Sequence, residues 1–512
     1  MSVLAPLLAP AAGRAVATFD FVVLLPVLAP ALGAILVLLV DLAGPRWRRV
    51  HYAVTLVVLA LGGWATVPGL SAGAGDAQTT LCLPGRAGTC LYSADAVGSS
   101  LQLAALAAAF VVVLLSWPQQ HTAPQGRTSV VCTLVLAATA GATAISAARD
   151  LGSWLVALEL ATLPVVALVA LRGLRRAVDG SVSLLITSLV SFAFLAMGAA
   201  LWFAATGSGL LDGDAALAAT ADPATRSVLV LSVVLFVAGI GFKLSLAPFH
   251  AWTPEAYVGA PLPIAAFLAA TSKVAALAAL LVVVRAVTVL GAPALTAIAL
   301  VAALSMTLGN VMALRQDDVV RLLAWSTVAQ AGWVVLPLAA LSPLAVGASA
   351  GYLLAYVIAT VLAFAVVAVL AHVWGLARAR QLTAYRGLLR EHPLLGVALG
   401  LALLSLAGLP PGVLGLVAKV IALRPVVHGE IWWLAVVAAV NAVIGVAVYL
   451  RWLRVTLERP AAVDGADEGD PGVSRVPWRS WHPAQLVAVA VGFIALVATS
   501  LAPQLVLGLL GP

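Results

Sequence analysis

Along this chain of 512 residues, long apolar stretches alternate with short polar or Gly/Pro-rich connections. Fourteen stretches reach about the length, roughly 20 residues, that a helix needs to cross the hydrocarbon core of a bilayer. Their centres fall near Ala31, Ala60, Leu106, Leu136, Val165, Leu189, Leu235, Ala270, Val301, Ala331, Thr360, Gly408, Asn441 and Val491. The pattern predicts an all-α, polytopic protein that is a single integral membrane domain, with no soluble domain of useful size. Phe21–Ala43 reads as a retained first helix, because no positive region and cleavage site precede it. A polar connector over 458–480, containing DGADEGDPG, precedes a last helix over 481–510.

Composition sharpens this picture. The chain is 63% hydrophobic and 9% charged, with a mean hydropathy of +1.12. Its net charge of +7 therefore speaks to topology rather than to nucleic-acid binding. With fourteen spans, eighteen arginines fall on one side of the membrane and six on the other. A miscounted helix would scramble that alternation. The positive-inside rule puts the arginine-rich side in the cytoplasm and both termini outside it. The loop LCLPGRAGTCL, with Cys82 and Cys90, then lies outside, where a disulfide and two free thiols are both open readings. Cys132 stands alone in an apolar helix and reads as a small core residue.

The three lysines behave differently from the arginines. Lys243, Lys273 and Lys419 all lie inside apolar segments, whereas the arginines fall in loops or near helix ends. Arginine is effectively always protonated, but a buried lysine can give up its proton. Glu159 is the only acid well inside an apolar run; Asp41 sits at the end of the first span. A charge at mid-membrane costs roughly 2.5–3.5 kcal/mol on insertion scales, so such residues tend to be kept for function. Structural readings stand beside the functional ones. Lys419 can snorkel toward the Arg424 end, Lys243 can be interfacial, and Glu159 can simply neutralise a lysine. That last pairing would leave two lysines without a partner.

Two segments read as broken helices. Pro248 and Pro254 follow Lys243, and Gly408, Pro410, Pro411 and Gly412 precede Lys419. Proline disrupts the helical ladder, and non-helical backbone in a membrane survives only where protein or water satisfies it. Such breaks commonly mark ion paths, although an ordinary proline kink is the plainer alternative. One glutamate among three lysines would repel a metal ion, which needs several oxygen ligands. Protons fit better. Burial disfavours a charged lysine and a nearby carboxylate favours it, so movement of Glu159 toward or away from Lys243 would hold or release a proton toward Lys273 and then Lys419. Ser245, Thr271 and Ser272 are candidate bridges. His250 reads either as an aid to proton entry or as packing, and His372 as an accessory member of the relay. The histidines show no metal-ligand spacing, and no dinucleotide fingerprint, P-loop or iron–sulfur cysteine cluster is present.

These residues resemble a known family. GFKLSLAPFHAWTPEAYVGAPLPIAAFLAATSKVAALAAL resembles the central signature of the antiporter-like subunits of respiratory complex I, and most of all the subunit N type. RLLAWSTVAQAGWVV, LLSLAGLPPGVLGLVAKV and LELATLPVVALVAL are similar to three further blocks of that family. The resemblance spans about Phe21 to Leu457. It implies three N-terminal helices (21–117) and two inverted five-helix repeats, helices 4–8 (127–290) and 9–13 (292–457), with helices 7 and 12 discontinuous. It implies Glu159 and Lys243 as a coupling pair, Lys273 as central relay and Lys419 as terminal relay. It also implies an NADH:quinone oxidoreductase that pumps protons, with FMN, iron–sulfur clusters and quinone held by other subunits and no cofactor or metal in this chain. The implied partners are other membrane subunits, sister antiporter-like subunits among them, and the lipid bilayer. Gln330 stands where the family often has histidine, Val320 where a basic residue is frequent, and Thr360 where subunit N often has asparagine. These departures weaken a relay through helices 10 and 11 and leave the lysine line intact. A subunit of a related cation/proton antiporter or membrane-bound hydrogenase shares the implied fold, and a membrane scaffold without a proton path is the alternative of another class.

Overall fold

The computed structural model describes residues 19–44, 46–72, 76–83, 89–118, 127–288, 292–459 and 481–508. Most of the 458–480 connector lies outside them. Among the described residues, thirteen helices are long and apolar enough to cross a membrane. A fourteenth span is made of two shorter pieces, Pro393–Ala407 and Val413–His428. The fourteen spans fall where the hydropathy pattern puts them. Local chemistry explains several starts. The Asp20, Asp95, Asp150, Asp222 and Asp318 carboxylates each accept backbone N–H groups at a helix N-terminus. These aspartates serve as caps, which sets Glu159 apart as an acid within a span.

Two spans are interrupted. The seventh consists of Pro223–Leu244 and Trp252–Gly259, and the twelfth of the two pieces above, so both predicted breaks are present. The eighth span also has a fault: Leu262–Ala269 and Thr271–Val287 meet at Ala270, with φ −115° and ψ −83°.

In lipid, helices gain little by hiding apolar surface from one another, so close packing of small residues matters more. The fourth span (Arg127–Ile145) crosses the fifth (Leu151–Ala170) at Gly141, where an added Cβ would stand 2.3 Å from the Ala161 nitrogen. The ninth (Ala292–Leu314) crosses the tenth, which starts with Val319–Val335, at Gly309, again 2.3 Å from an alanine nitrogen, that of Ala329. The sixth span, Arg175–Thr206, packs on both pieces of the seventh, as the eleventh, Ala345–Trp374, packs on both pieces of the twelfth. Equivalent partners thus recur in the two halves. The eighth, tenth and eleventh spans are the most enclosed, with at least 94% of their apolar windows buried. The first and sixth keep only 33% buried and show Leu, Val and Ile outward, as lipid-facing helices do.

The loops assigned to each side meet one another. At one end a hairpin of Gln78–Cys82 and Cys90–Ala94 pairs Cys82 with Cys90, and the two are disulfide-bonded. Tyr92 of this hairpin bridges Ala148, and Asp150 bridges Leu210. At the other end Arg380 pairs with Asp318 and donates to the Val258 carbonyl, while Arg321 lies 3.3 Å from Glu255.

Candidate proton-relay site

The break in the seventh span builds the first half of the site. Its long piece ends at Leu244 because Ser245 turns into the left-handed region, with φ 65°. A helix end leaves carbonyl groups without intrahelical donors. The Phe242 carbonyl receives the indole N–H of Trp252 at 2.7 Å, and the Lys243 carbonyl receives the Lys273 ammonium at 2.9 Å. Lys273 also donates to Ser245 Oγ, which accepts from Thr253 Oγ1 at 2.6 Å. The Trp252 ring lies 4.7 Å from the same ammonium, a cation–π contact. Lys273 is 2% exposed, and among the described residues no carboxylate pairs with it. The negative end of the broken helix and the indole face take the counter-ion's place.

Lys243 points the other way, into the fifth span. Its Nζ lies 2.9 Å from Glu159 Oε1 and 3.0 Å from Thr162 Oγ1. Glu159 and Thr162 are neighbours on one helical face, so one turn of the fifth span supplies both partners. A cavity of about 30 Å³ adjoins them, lined by Thr162, Lys243, Trp252 and Ser272 among apolar groups. That is room for a water molecule.

The break in the twelfth span repeats the device. Pro393–Ala407 ends at Gly408 (φ 78°), and its freed Leu406 and Ala407 carbonyls accept from Lys419. The Trp333 ring lies 5.6 Å from that ammonium. Gln330 Nε2 reaches the same Leu406 carbonyl at 3.4 Å and donates to Tyr449 at 2.8 Å. Tyr449 bonds Ser326 at 2.6 Å, Tyr352 donates to Gln330 Oε1, and Thr327 bonds Tyr356 at 2.9 Å. Two separate polar clusters therefore join the tenth span to its neighbours, Gln330 and Ser326 with Tyr449 and Tyr352, and Thr327 with Tyr356. The Gly141–Ala161 and Gly309–Ala329 crossings share one spacing, so Thr327 and Gln330 occupy the positions that Glu159 and Thr162 hold in the first half.

The structure thus joins Glu159, Lys243, Lys273 and Ser245 directly and sets Lys419 at an equivalent break. Ser272 lines the water-sized cavity, but Thr271 donates to the Ala105 carbonyl on the third span, Ala96–Ser116, and bridges none of the lysines. His250 lies in the seventh-span break with its ring 5.2 Å from that of Trp325. His372 is in the last turn of the eleventh span, 6.4 Å from the His482 ring, in a cavity that no lysine lines. Sequence reasoning missed Thr162, Trp252, Trp333, Tyr352, Tyr356 and Tyr449. Only the placement of Thr162 one turn after Glu159 offered a signal.

Residues 148–445 match the family model described as NADH:quinone oxidoreductase/Mrp antiporter, transmembrane. Subunit N 2 of the NADH-quinone oxidoreductase of Streptomyces griseus is 38% identical over 98% of this chain and 94% of its own length. A chain of respiratory complex I from Thermus thermophilus superposes with a TM-score of 0.74 at 31% identity, covering 94% of this chain and 98% of that one. A chain of an archaeal membrane-bound sulfane sulfur reductase shares the fold, with a TM-score of 0.81 at 19% identity and 96% of each chain covered.

Proposed function

From the premise that this chain belongs to the NADH:quinone oxidoreductase/Mrp antiporter family, as an antiporter-like N subunit of the membrane arm, we propose that it carries protons across the membrane along Glu159, Lys243, Lys273 and Lys419. The observation that carries the reading is the pair of broken spans. Each presents freed helix-end carbonyls to a buried lysine, Lys273 at one and Lys419 at the other, and Glu159 stands against Lys243 beside the first. Among the described residues Lys243 pairs with Glu159, and no carboxylate pairs with Lys273 or Lys419, so each ammonium is poised to lose its proton when its surroundings change.

In the proposed cycle Glu159 holds the Lys243 ammonium. When the carboxylate swings away, the proton leaves through Thr162, water and Ser272 toward Lys273, which Ser245 and Thr253 orient. Water then carries it past the Thr327–Tyr356 hydroxyls and Tyr449, which Gln330 holds in place, and on to Lys419. FMN, iron–sulfur clusters and quinone belong in this reading to other subunits, whose redox chemistry drives the movement of Glu159. The arginine-rich end faces the cytoplasm and the disulfide hairpin faces outward, with both termini outside.

The test is Lys243→Met in the assembled complex, in membrane vesicles. NADH-driven quinone reduction and proton pumping should both fall several-fold, because coupling passes through this residue. Normal rates of both in a fully assembled complex would leave only the scaffold reading.

A further inference from the structure

A second cavity, of about 340 Å³, opens at the arginine-rich end, between the third, fourth, eighth, eleventh and last (Pro483–Leu501) spans. Among the described residues Arg127 and Arg172 line it, no carboxylate does, and neither arginine forms an ion pair. Burial pushes the Arg172 guanidinium below its ordinary value, and Arg380 and Arg127 push the same way. Three helices start at the cavity: Arg127–Ile145, Leu262–Ala269 and Pro483–Leu501, the last carrying Gln485. Helix N-termini are partly positive and gather anions.

The polar groups in the wall point to a ligand as well. Thr128 and Gln485 are 3% and 5% exposed, and among the described residues Thr128 Oγ1 and Gln485 Oε1 have no hydrogen-bond partner. An unmet buried polar group is costly, so each of these atoms calls for a partner. The field here repels a hydronium ion, so the cavity does not serve as an entrance to the lysine line.

We propose that this cavity binds a phosphate ester that also carries a hydroxyl, the chemistry of a glycerophosphate group. The phosphate oxygens accept from Arg127, Arg172 and Thr128 Oγ1, and the hydroxyl donates to Gln485 Oε1. Leu115, Val131 and Leu262 offer an apolar wall for attached acyl chains. The same headgroup chemistry comes from an anionic lipid or from a free phosphate ester.

Native mass spectrometry of the purified full chain in neutral detergent separates these cases. The probes are dihexanoyl phosphatidylglycerol, dihexanoyl phosphatidylcholine and glycerol 3-phosphate. Phosphatidylglycerol should bind, Arg172→Gln should weaken it roughly tenfold, and Arg226→Gln, at the opposite end, should leave it unchanged. Tighter binding of phosphatidylglycerol than of glycerol 3-phosphate identifies a lipid as the source, and the reverse order a free ester. Equal binding of phosphatidylcholine, or no loss with Arg172→Gln, overturns the proposal. If Arg172→Gln does not yield monodisperse protein, Thr128→Val gives the same reading, since it removes one donor from the wall and must also weaken binding.

Discussion

Ser245 and Gly408 adopt the same left-handed backbone at the two breaks, with φ 65° and 78°, and for different reasons. A side chain in that region costs roughly 1–2 kcal/mol. Ser245 offsets the cost through its hydroxyl, which meets both Lys273 and Thr253. Gly408 has no such option, because Lys419 crosses directly over it. A Cβ there would stand 2.9 Å from Lys419 Cδ and 3.1 Å from its Nζ. Gly408→Ala should therefore both strain the turn and lift the ammonium from the Leu406 and Ala407 carbonyls. We expect a loss of about 1–2 kcal/mol of stability with a drop in proton pumping, read from thermal unfolding and vesicle acidification of the assembled complex. Intact pumping would mean that contact with those carbonyls is not needed. At this scale the charged members of the site were legible, because Glu159 and the lysines interrupt apolar runs. Tyr352, Tyr356 and Tyr449 were not, since tyrosine in an apolar helix looks like packing. The carbonyls that receive Lys273 and Lys419 have no signature of their own; they exist only because two helices stop.

Those stops belong to the scale of elements. Proline marked both breaks, since it removes a donor and the chain must turn away from helix. The fault at Ala270 carries no proline and was invisible, although Gly and Pro are the signals that announce such places. Small residues at crossings were equally silent, because a glycine in an apolar helix says nothing of what approaches it. Gly309 is the sharpest case. A Cβ there would meet the Ala329 nitrogen at 2.3 Å and its Cα at 2.7 Å, backbone atoms that cannot swing aside. Gly309→Val should force the ninth and tenth spans apart, costing more than the roughly 1–3 kcal/mol of ordinary overpacking. It should also pull Thr327 and Gln330 out of register with Tyr356 and Tyr449. Gly400→Ala is the control, since its new Cβ meets only the tip of Leu453, at 3.3 Å. The yield of folded protein in membranes and its unfolding temperature should collapse for the first variant and hold for the second.

At the scale of the whole molecule, the two halves repeat their packing but not their chemistry. The position equivalent to Glu159 holds Thr327, so the second half has no mobile acid and Lys419 rests on carbonyls and an indole alone. On the proposed function, only the first half would respond to a charge arriving from outside the subunit, which would give the proposed proton line a direction. That direction has meaning only if the bundle has a fixed orientation in the bilayer. The count of fourteen spans and the arginine asymmetry made orientation legible as an expectation, because loop charge is written in the sequence whereas side-by-side packing is not. The structure gathers the Cys82–Cys90 hairpin, the Ala148 turn and the Leu210 loop at one end, opposite Arg380 and Arg321. If the arginine-rich end is cytoplasmic, a membrane-impermeant maleimide added to intact cells after mild reduction should label Cys82 and Cys90. Cys132, fully buried in the fourth span, should stay unlabelled. Serine at both hairpin positions should abolish the label and cost about 2–3 kcal/mol of stability, less than loss of a bond closing a long loop would, because a short closure constrains the unfolded chain less. Labelling that requires broken cells would invert the bundle and, with it, the side from which the lysine line takes its protons.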